Sequence, residues 1–257
     1  MVLTEITKIV LKELLIFLKP LSLIGKPLWN LCTKCLYTHS IYTKELRESI
    51  DESIKVGLLP HIDNPVYYNY IILDGSKLYK ILDRYTRQVV APTTIFNADV
   101  DEFEECCIYA GKGKSNRNFQ HAIDSKKVLE GETVLQKISE KFEKINYIWE
   151  LDQGIVIIRL FTDTTHYEAH SQEFALIKSL RLNNITNIIN GTAYGAIKYW
   201  NEKQVLNYGK MILYSALRMC IIEPPKVIHK QDVILPKKRC RRQDWELAGI
   251  LQCFLEL

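Results

Sequence analysis

Residues 107–121 read Cys-Ile-Tyr-Ala-Gly-Lys-Gly-Lys-Ser-Asn-Arg-Asn-Phe-Gln-His, and this stretch decides how the rest of the chain is interpreted. It begins as an apolar strand, passes through two glycines and ends in a predicted helix that carries Arg117 and His121 one turn apart. Gly111 and Gly113 allow a tight turn and a close approach of the backbone to a ligand. The free amides at a helix start, with lysine and arginine beside them, favour binding of a phosphate group.

The glycines do not form a known nucleotide-binding motif, because the spacings G-x-x-x-x-G-K-[ST] and G-x-G-x-x-G are both absent. A Gly-Lys-Gly loop is also common in ordinary surface turns, so the loop alone leaves a turn and a phosphate site open. Tyr109 before the loop, and Arg117 and His121 after it, favour the phosphate site.

Composition predicts a globular protein, with 47% hydrophobic and 25% charged residues among 257. The net charge of +4 does not by itself indicate a nucleic-acid-binding protein. Positive charge is concentrated between residues 109 and 127, where Asp124 is the only acidic residue. The basic residues of this stretch are Lys112, Lys114, Arg117, Lys126 and Lys127. This local excess is suited to a phosphate backbone.

The seven cysteines are odd in number and show no disulfide framework, and no secretory signal is evident. We therefore expect a reducing compartment, the nucleus and cytoplasm. Charged residues and prolines interrupt the apolar stretch 9–31, so no membrane-spanning helix is predicted. Cys32, Cys35 and His39 resemble half a zinc site, but no second pair has finger spacing, and buried thiols are favoured.

The secondary-structure pattern mixes short strands with amphipathic helices. Residues 4–18 predict a core-packing helix, with a membrane-surface or partner helix left open, and a second helix follows Thr43. Residues 75–103 read as irregular, with an acidic end that is either a solvated loop or a brake on DNA approach. The continuous apolar run 155–161 predicts a buried central strand. Further strands are predicted at 66–73 and 106–111, and further helices at 116–128, 132–151, 165–180 and 202–220.

Four motifs resemble the signatures of GIY-YIG nucleases, in the branch found in ankyrin-repeat and LEM-domain endonucleases. They occur in the family's order over residues 66–200, although neither ankyrin repeats nor a LEM domain is apparent. The matching pieces are Tyr68–Asp74; Tyr109-Ala110-Gly111 followed by Lys112-Gly113, Arg117 and His121; Glu168–Glu173; and Thr186-Asn187 with Gly191 and Tyr194-Gly195. Together the motifs are a specific match, whereas any one of them alone is not.

The resemblance implies an α+β fold with a small antiparallel three-stranded GIY-YIG sheet flanked by helices. Residues 61–222 are the expected nuclease domain, preceded by a helical region, 1–60, and followed by a basic tail with a short helix, 223–257. The basic cluster 237–242 is interpreted as a nuclear address, a phosphate-contacting patch or a solvated tail.

Glu173 is the residue whose position in the helix 165–180 is most informative. It lies one turn after Ala169 and one turn before Ile177, so it falls on the apolar face. Carboxylates are seldom buried without a partner, and one at the mouth of a site suits a hard cation. Pairing with a lysine is the alternative. Glu168, nearer the helix start, is expected to be a surface residue that complements the helix dipole.

By resemblance, Glu173 binds one Mg²⁺ or Mn²⁺ and Arg117 binds the scissile phosphate. Tyr70 and Tyr109 position the attacking water, one of them as general base, and His121 relays the proton or binds phosphate. The other expected site residues are a hydrogen-bonding asparagine, Asn187, and two substrate-binding lysines, Lys112 and Lys114. A free tyrosine has a pKa of about 10, so the base needs a cation nearby, such as Lys112, the metal or another basic group.

Four differences from the family pattern, at five positions, remove no catalytic group. Tyr68-Asn69 replaces Gly-Ile of simple members, Gly75 replaces the branch's proline, Ala110 replaces an aliphatic residue, and Gln172 replaces an arginine. Loss of that arginine is expected to weaken DNA contact or support of the metal site.

These motifs predict a metal-dependent, structure-specific DNA endonuclease acting on branched or distorted DNA, of the kind used in DNA repair. The competing interpretation is a non-catalytic nucleic-acid-binding or scaffold module that retains the fold. A complete set of site residues argues against it, because a binding module needs no metal carboxylate. No membrane partner is predicted, and the oligomeric state is not indicated.

Overall fold

A computed structural model describes residues 26–62, 66–86, 95, 97–131 and 139–235, with side chains from residue 41 onward. The predicted helix 4–18, the side chains of the Cys32/Cys35/His39 group, the basic cluster 237–242 and the C-terminal helix lie outside this description.

The described residues contain three strands and seven α-helices, with two helices after each strand. The helices are α1 (Lys26–Lys55), α2 (Gly75–Thr86), α3 (Asn97–Cys106), α4 (Arg117–Leu129), α5 (Glu140–Glu150), α6 (His166–Leu180) and α7 (Glu202–Ile222). The strands are β1 (Tyr67–Asp74), β2 (Cys107–Lys114) and β3 (Ile155–Thr164), and short 3₁₀ turns occur at Gly195–Lys198 and Lys230–Asp232. This is the predicted α+β architecture.

The sheet is antiparallel with the order β2-β1-β3, so β1 is the central strand. The prediction that strand 155–161 is central is wrong. Its apolar run is buried at an edge instead, because the Ile155 and Ile228 backbones exchange hydrogen bonds of 3.1 and 2.8 Å beside it. Trp149 also donates to the Ile228 carbonyl at 3.1 Å, which closes this corner of the molecule.

Each face of β1 enters a different hydrophobic core because successive side chains point to opposite sides of a strand. Tyr68, Tyr70 and Ile72 pack with residues of α4 and α5, including Ile145. Ile71 and its neighbours on the other face pack with α6 and α7. The first of these faces carries the phenols that the sequence assigns to the site.

The prediction of an irregular segment at 75–103 is wrong, because it contains α2 and α3. Asp74 caps α2 by accepting hydrogen bonds from two backbone amides of its first turn at 3.0 and 3.3 Å. The acidic end is helical and not an open loop, and several of its acids have cationic or hydroxyl partners. In α3, Asp99 accepts a 2.5 Å hydrogen bond from Tyr85, and Glu102 pairs with Arg84 at 2.8 Å.

Helix α1 packs on the sheet domain through Leu46 and Ile50, which are buried in the core shared with α6 and α7. Arg47 donates to Glu168 at 2.7 Å. Glu168 is only 2% exposed and forms a capping box with Thr165 at the start of α6, so its predicted surface location is wrong. In the described part of the chain, no helix is long and apolar enough to cross a membrane.

Candidate active site

A buried tyrosine–histidine pair forms the base of the site. Tyr70 on β1 and His121 on α4 share a 2.6 Å hydrogen bond between the phenol oxygen and Nε2. Burial, together with the charges of Lys141 and Arg117, lowers the pKa of His121 to about 3. Burial also raises the pKa of Tyr70 far above its ordinary value. The pair is therefore a neutral imidazole and a protonated phenol near neutral pH.

Tyr109 completes the aromatic cluster from the neighbouring strand. Its ring centroid lies 6.0 Å from that of Tyr70 and 5.0 Å from that of His121, edge-on to the imidazole. Burial raises the pKa of Tyr109 as it does that of Tyr70, and the interaction between the two phenols adds to the shift of Tyr70 and opposes that of Tyr109. Gly111 lies opposite Tyr70 in the strand register, and a Cβ there would stand 2.7 Å from the Tyr109 ring. Glycine is thus needed to admit both rings.

Arg117 begins α4 beside these rings and is exposed, as is Lys114 at the end of β2. Burial raises the pKa of both Tyr70 and Tyr109, and the positive charge of Arg117 opposes that shift. Among the described residues, no carboxylate forms an ion pair with Arg117. The guanidinium is therefore exposed and has no acidic partner there, and binding of a phosphate by Arg117 stays a prediction.

The turn that leads into Arg117 is held by a network that sequence reasoning missed. The Tyr68 hydroxyl lies 2.8 Å from the Ser115 carbonyl and 2.9 Å from Asn118 Oδ1, and its single proton is shared between these two acceptors. Arg159 on β3 donates to the same two acceptors at 3.1 and 2.9 Å and stacks 4.6 Å from the Tyr68 ring centroid. Ser115 has a positive φ of 54°, so these bonds fix a strained turn. Their partners come from three separate elements, and sequence spacing does not relate them.

Glu173 points from α6 towards the outer edge of β2. Its Oε2 lies 3.5 Å from Lys112 Nζ, which is the lysine pairing left open as the alternative to a metal. Burial raises the pKa of Glu173, and Lys112 opposes that shift. The negative charge of Glu173 raises the pKa of both Tyr70 and Tyr109. Glu173 is therefore close enough to act electrostatically on both phenols, although it approaches β2 from the side opposite the Tyr109 ring.

The carboxylate of Glu173 fits a divalent cation only in part. No group of three or more His, Cys, Asp or Glu side chains within the described ranges has metal-binding geometry. Mg²⁺ usually keeps several waters and takes one or two carboxylates plus a substrate phosphate. A single acid that already lies near a lysine fits a cation whose remaining ligands come from water and the substrate. It does not fit a cation coordinated only by protein side chains.

Asn187 lies behind Tyr109 along the open edge of β2. Its Nδ2 donates to the Ala110 carbonyl at 2.7 Å, and its Oδ1 accepts from the Ala110 amide at 3.1 Å. Thr186 adds a bond from its amide to the Ile108 carbonyl at 2.8 Å. Asn187 therefore orients the strand that carries Tyr109, and its side chain is engaged with that backbone.

Lys141 is a second residue that the sequence did not reveal. It lies in the first turn of α5, and its Nζ is 4.1 Å from the Tyr109 ring centroid. Burial and the charge of Arg117 lower its pKa to about 8. A lysine at the polar start of a helix carries no sequence signal for this position, because the contact depends on how α5 packs against β2.

Comparison with known proteins identifies the family. A model described as the LEM-3-like GIY-YIG domain matches residues 67–235. The chain belongs to this family. Its GIY-YIG domain contains every predicted site residue and is a nuclease-type domain that implies DNA binding.

The GIY-YIG domain also matches larger proteins. The chain is 26% identical over 141 residues to the ankyrin repeat and LEM domain-containing protein 1 homolog of Caenorhabditis elegans, covering 55% of this chain and 20% of that protein. It is 24% identical to ankyrin repeat and LEM domain-containing protein 1 of Mus musculus, over 72% of this chain and 35% of the mouse protein. The Homo sapiens protein of the same name is 25% identical, over 63% of this chain and 27% of the human protein. The chain thus spans about a third or less of these relatives, and no solved structure matches it.

Proposed function

We propose that this GIY-YIG domain is a metal-dependent endonuclease that hydrolyses phosphodiester bonds in branched or distorted DNA. The proposal is supported chiefly by the contact cluster of Tyr70, Tyr109 and His121, with Arg117 and Glu173 close enough for their charges to act on both phenols. A binding module would need the cations but would have no use for a carboxylate placed among them, which repels the DNA backbone.

Tyr109 is the general base in this proposal, because it is the more accessible phenol and its pKa is the less elevated. Tyr70 is only 1% exposed, whereas Tyr109 is half-buried at the edge strand. The Tyr70 hydroxyl donates to an ionised Tyr109, and His121 holds Tyr70 in place. Ionised Tyr109 then accepts a proton from the attacking water, leaving hydroxide to attack the phosphorus.

Arg117 binds the scissile phosphate and stabilises the charge that develops on its oxygens. Glu173 would hold Mg²⁺ or Mn²⁺, which when bound would neutralise negative charge on the phosphate and the leaving oxygen. Lys112 has to move from Glu173 towards the DNA for this to occur. Lys114, exposed at the end of β2, contacts the backbone nearby.

The test is cleavage of a branched DNA with Mg²⁺ by the wild type and the Glu173→Gln variant. Glutamine keeps the size of the side chain but removes the charge that holds the cation. We expect loss of cleavage with DNA affinity retained or increased, because a negative charge near the backbone is removed. Cleavage at the wild-type rate would refute the role of Glu173. Tight DNA binding by a wild type that never cleaves, with either metal, would favour the non-catalytic alternative.

Two exposed isoleucines support the preference for branched DNA. Ile188 and Ile189 are 88% and 71% exposed. The segment that carries them is held at one end by the Asn187 bonds to Ala110. At the other end, the Cα of Gly191 lies so close to α6 that a Cβ there would be 3.7 Å from Glu173 Oε2. Apolar side chains presented beside a cleavage site suit insertion between bases that are already unstacked.

The wedge proposal is tested separately from catalysis, with 2-aminopurine placed at the branch point. The Ile188→Ser/Ile189→Ser double variant is expected to lose the fluorescence increase that reports unstacking, and its preference for branched over duplex DNA. Ile222→Ser is the matched control, since Ile222 is also exposed, at 65%, but lies at the end of α7. An unchanged preference in the double variant would refute the wedge and leave the nuclease proposal intact.

A further inference from the structure

The aromatic ring of Tyr109 is bracketed by a histidine and a lysine. His121 meets the ring edge-on at 5.0 Å, and Lys141 Nζ lies 4.1 Å from the ring centroid. The same ammonium is 5.4 Å from the Phe142 ring. A cation within about 6 Å of an aromatic centroid is attracted by the ring. Lys141 therefore fixes one side of the phenol that the proposed chemistry depends on.

The charge of Lys141 is not neutralised by an acid in the described residues. Asp124 on α4 is the acid whose charge reaches Lys141, but it accepts a 2.7 Å hydrogen bond from Gln120. Arg117 on the same helix repels the ammonium, and His121 is neutral. A half-buried lysine without a salt bridge is unfavourable for folding, so its presence beside Tyr109 calls for a function.

The sequence assigns the role of activating the base to Lys112, among other groups. The structure places the Lys112 ammonium 3.5 Å from Glu173 instead, on the other side of β2. This pairing leaves Lys141 as the ammonium that contacts the Tyr109 ring. Its contribution is separate from that of Arg117, whose exposed side chain is free to turn towards a phosphate.

We propose that Lys141 is a positioning residue that holds the Tyr109 ring and stabilises negative charge on its phenol oxygen. The proposal rests on the proposed function, in which ionised Tyr109 removes the proton from the attacking water. By Coulomb's law with an effective dielectric constant of about 20, a unit positive charge roughly 5–6 Å from an oxygen favours ionisation by about 2 pH units, and solvent screening of a half-buried lysine reduces this to about 1–2 pH units. The DNA backbone keeps Lys141 protonated in the complex, because neighbouring negative charge raises the pKa of an ammonium.

The test compares Lys141→Met, which removes the charge, with Lys141→Arg, which retains a cation able to stack on the ring. Lys144→Met is the control, since Lys144 is exposed one turn later on α5. The first readout is the ionisation midpoint of Tyr109, followed by NMR of ¹³Cζ-labelled tyrosine in the metal-free complex with branched DNA, where the backbone keeps Lys141 protonated. The second is the pH dependence of single-turnover cleavage of branched DNA with Mg²⁺.

We expect Lys141→Met to move the Tyr109 midpoint, and the acid limb of the rate profile, upward by about 1–2 pH units. Below that limb the rate falls by the corresponding factor of about 10–100, and Lys141→Arg restores most of both. An unchanged midpoint in Lys141→Met would overturn the proposal, even if activity fell. If the wild type cleaved no DNA, the nuclease proposal would fail while the NMR titration still decided the role of Lys141.

Discussion

Substitution of Gly111 by alanine should separate the catalytic geometry from the stability of the fold. An alanine Cβ at this position would lie 2.7 Å from Tyr109 Cε1 and 2.8 Å from Cζ and the hydroxyl oxygen of Tyr70. Ordinary van der Waals contact starts near 3.4 Å, so the two rings overlap the new methyl group by about 0.7 and 0.6 Å. Tyr70 has little freedom to retreat, because His121 holds its hydroxyl at 2.6 Å.

The rings must therefore move, and the expected effects differ in size. Overpacking of this kind costs about 1–3 kcal/mol, which lowers the melting temperature of a domain this size by about 2–10 °C. Misplacement of a catalytic group by about 1 Å lowers the rate by about 100-fold. We expect Gly111→Ala to remain folded at about 25 °C and to lose most of its cleavage activity.

The assay is single-turnover cleavage of branched DNA with Mg²⁺, together with thermal unfolding followed by circular dichroism. Gly131→Ala is the control, because Gly131 has a positive φ of 70° with no atoms within 4 Å of a new Cβ. It should lose a similar amount of stability, about 1 kcal/mol, through backbone strain, without touching the site. Gly111→Ala with an activity within about threefold of Gly131→Ala would refute the argument that both phenols need this space.

Three further results are expected. Lys141→Met should gain about 1–2 kcal/mol of unfolding free energy near neutral pH, as measured by urea titration. The wild type should become more stable relative to this variant as the pH rises from about 8 to 10.5, because Lys141 then stays protonated only in the unfolded chain. Glu168→Gln should lose about 2 kcal/mol of unfolding free energy, because the buried acid accepts hydrogen bonds from both Arg47 and the start of α6. Arg47→Met should lose less unfolding free energy in the same urea titration. The wild type should lose stability as the pH falls from 6.5 towards 3, since folding lowers the pKa of His121, and His121→Gln should reduce this loss.

The parts of the site that the sequence predicted are those fixed by local spacing. Arg117 and His121 lie one turn apart on a helix that begins where the glycine loop ends, so their shared face follows from the helical period. The same helical period puts Glu173 on the inner face of α6, and this residue is 9% exposed. Both predictions required only one element each.

The parts that failed depend on neighbours that spacing does not specify. The apolar run of β3 reads as a central strand, but burial there comes from the Ile228 segment and Trp149 and not from a second flanking strand. Glu168 reads as a surface residue because its partner, Arg47, lies 121 positions away along the chain. Lys141 carries no signal at all until α5 is packed against Tyr109. In each case a distant residue changes the environment of a locally ordinary one.

The open edge of β2 explains why the site forms where it does. An edge strand exposes unpaired backbone groups that a protein usually has to cover. Thr186 and Asn187 cover them here by bonding to the backbones of Ile108 and Ala110, which flank Tyr109. The same contact brings the following residues against α6 beside Glu173. Covering the edge therefore also joins the phenol of one face to the carboxylate of the other, so a variant such as Asn187→Ala should separate them and lose activity well before it loses the fold.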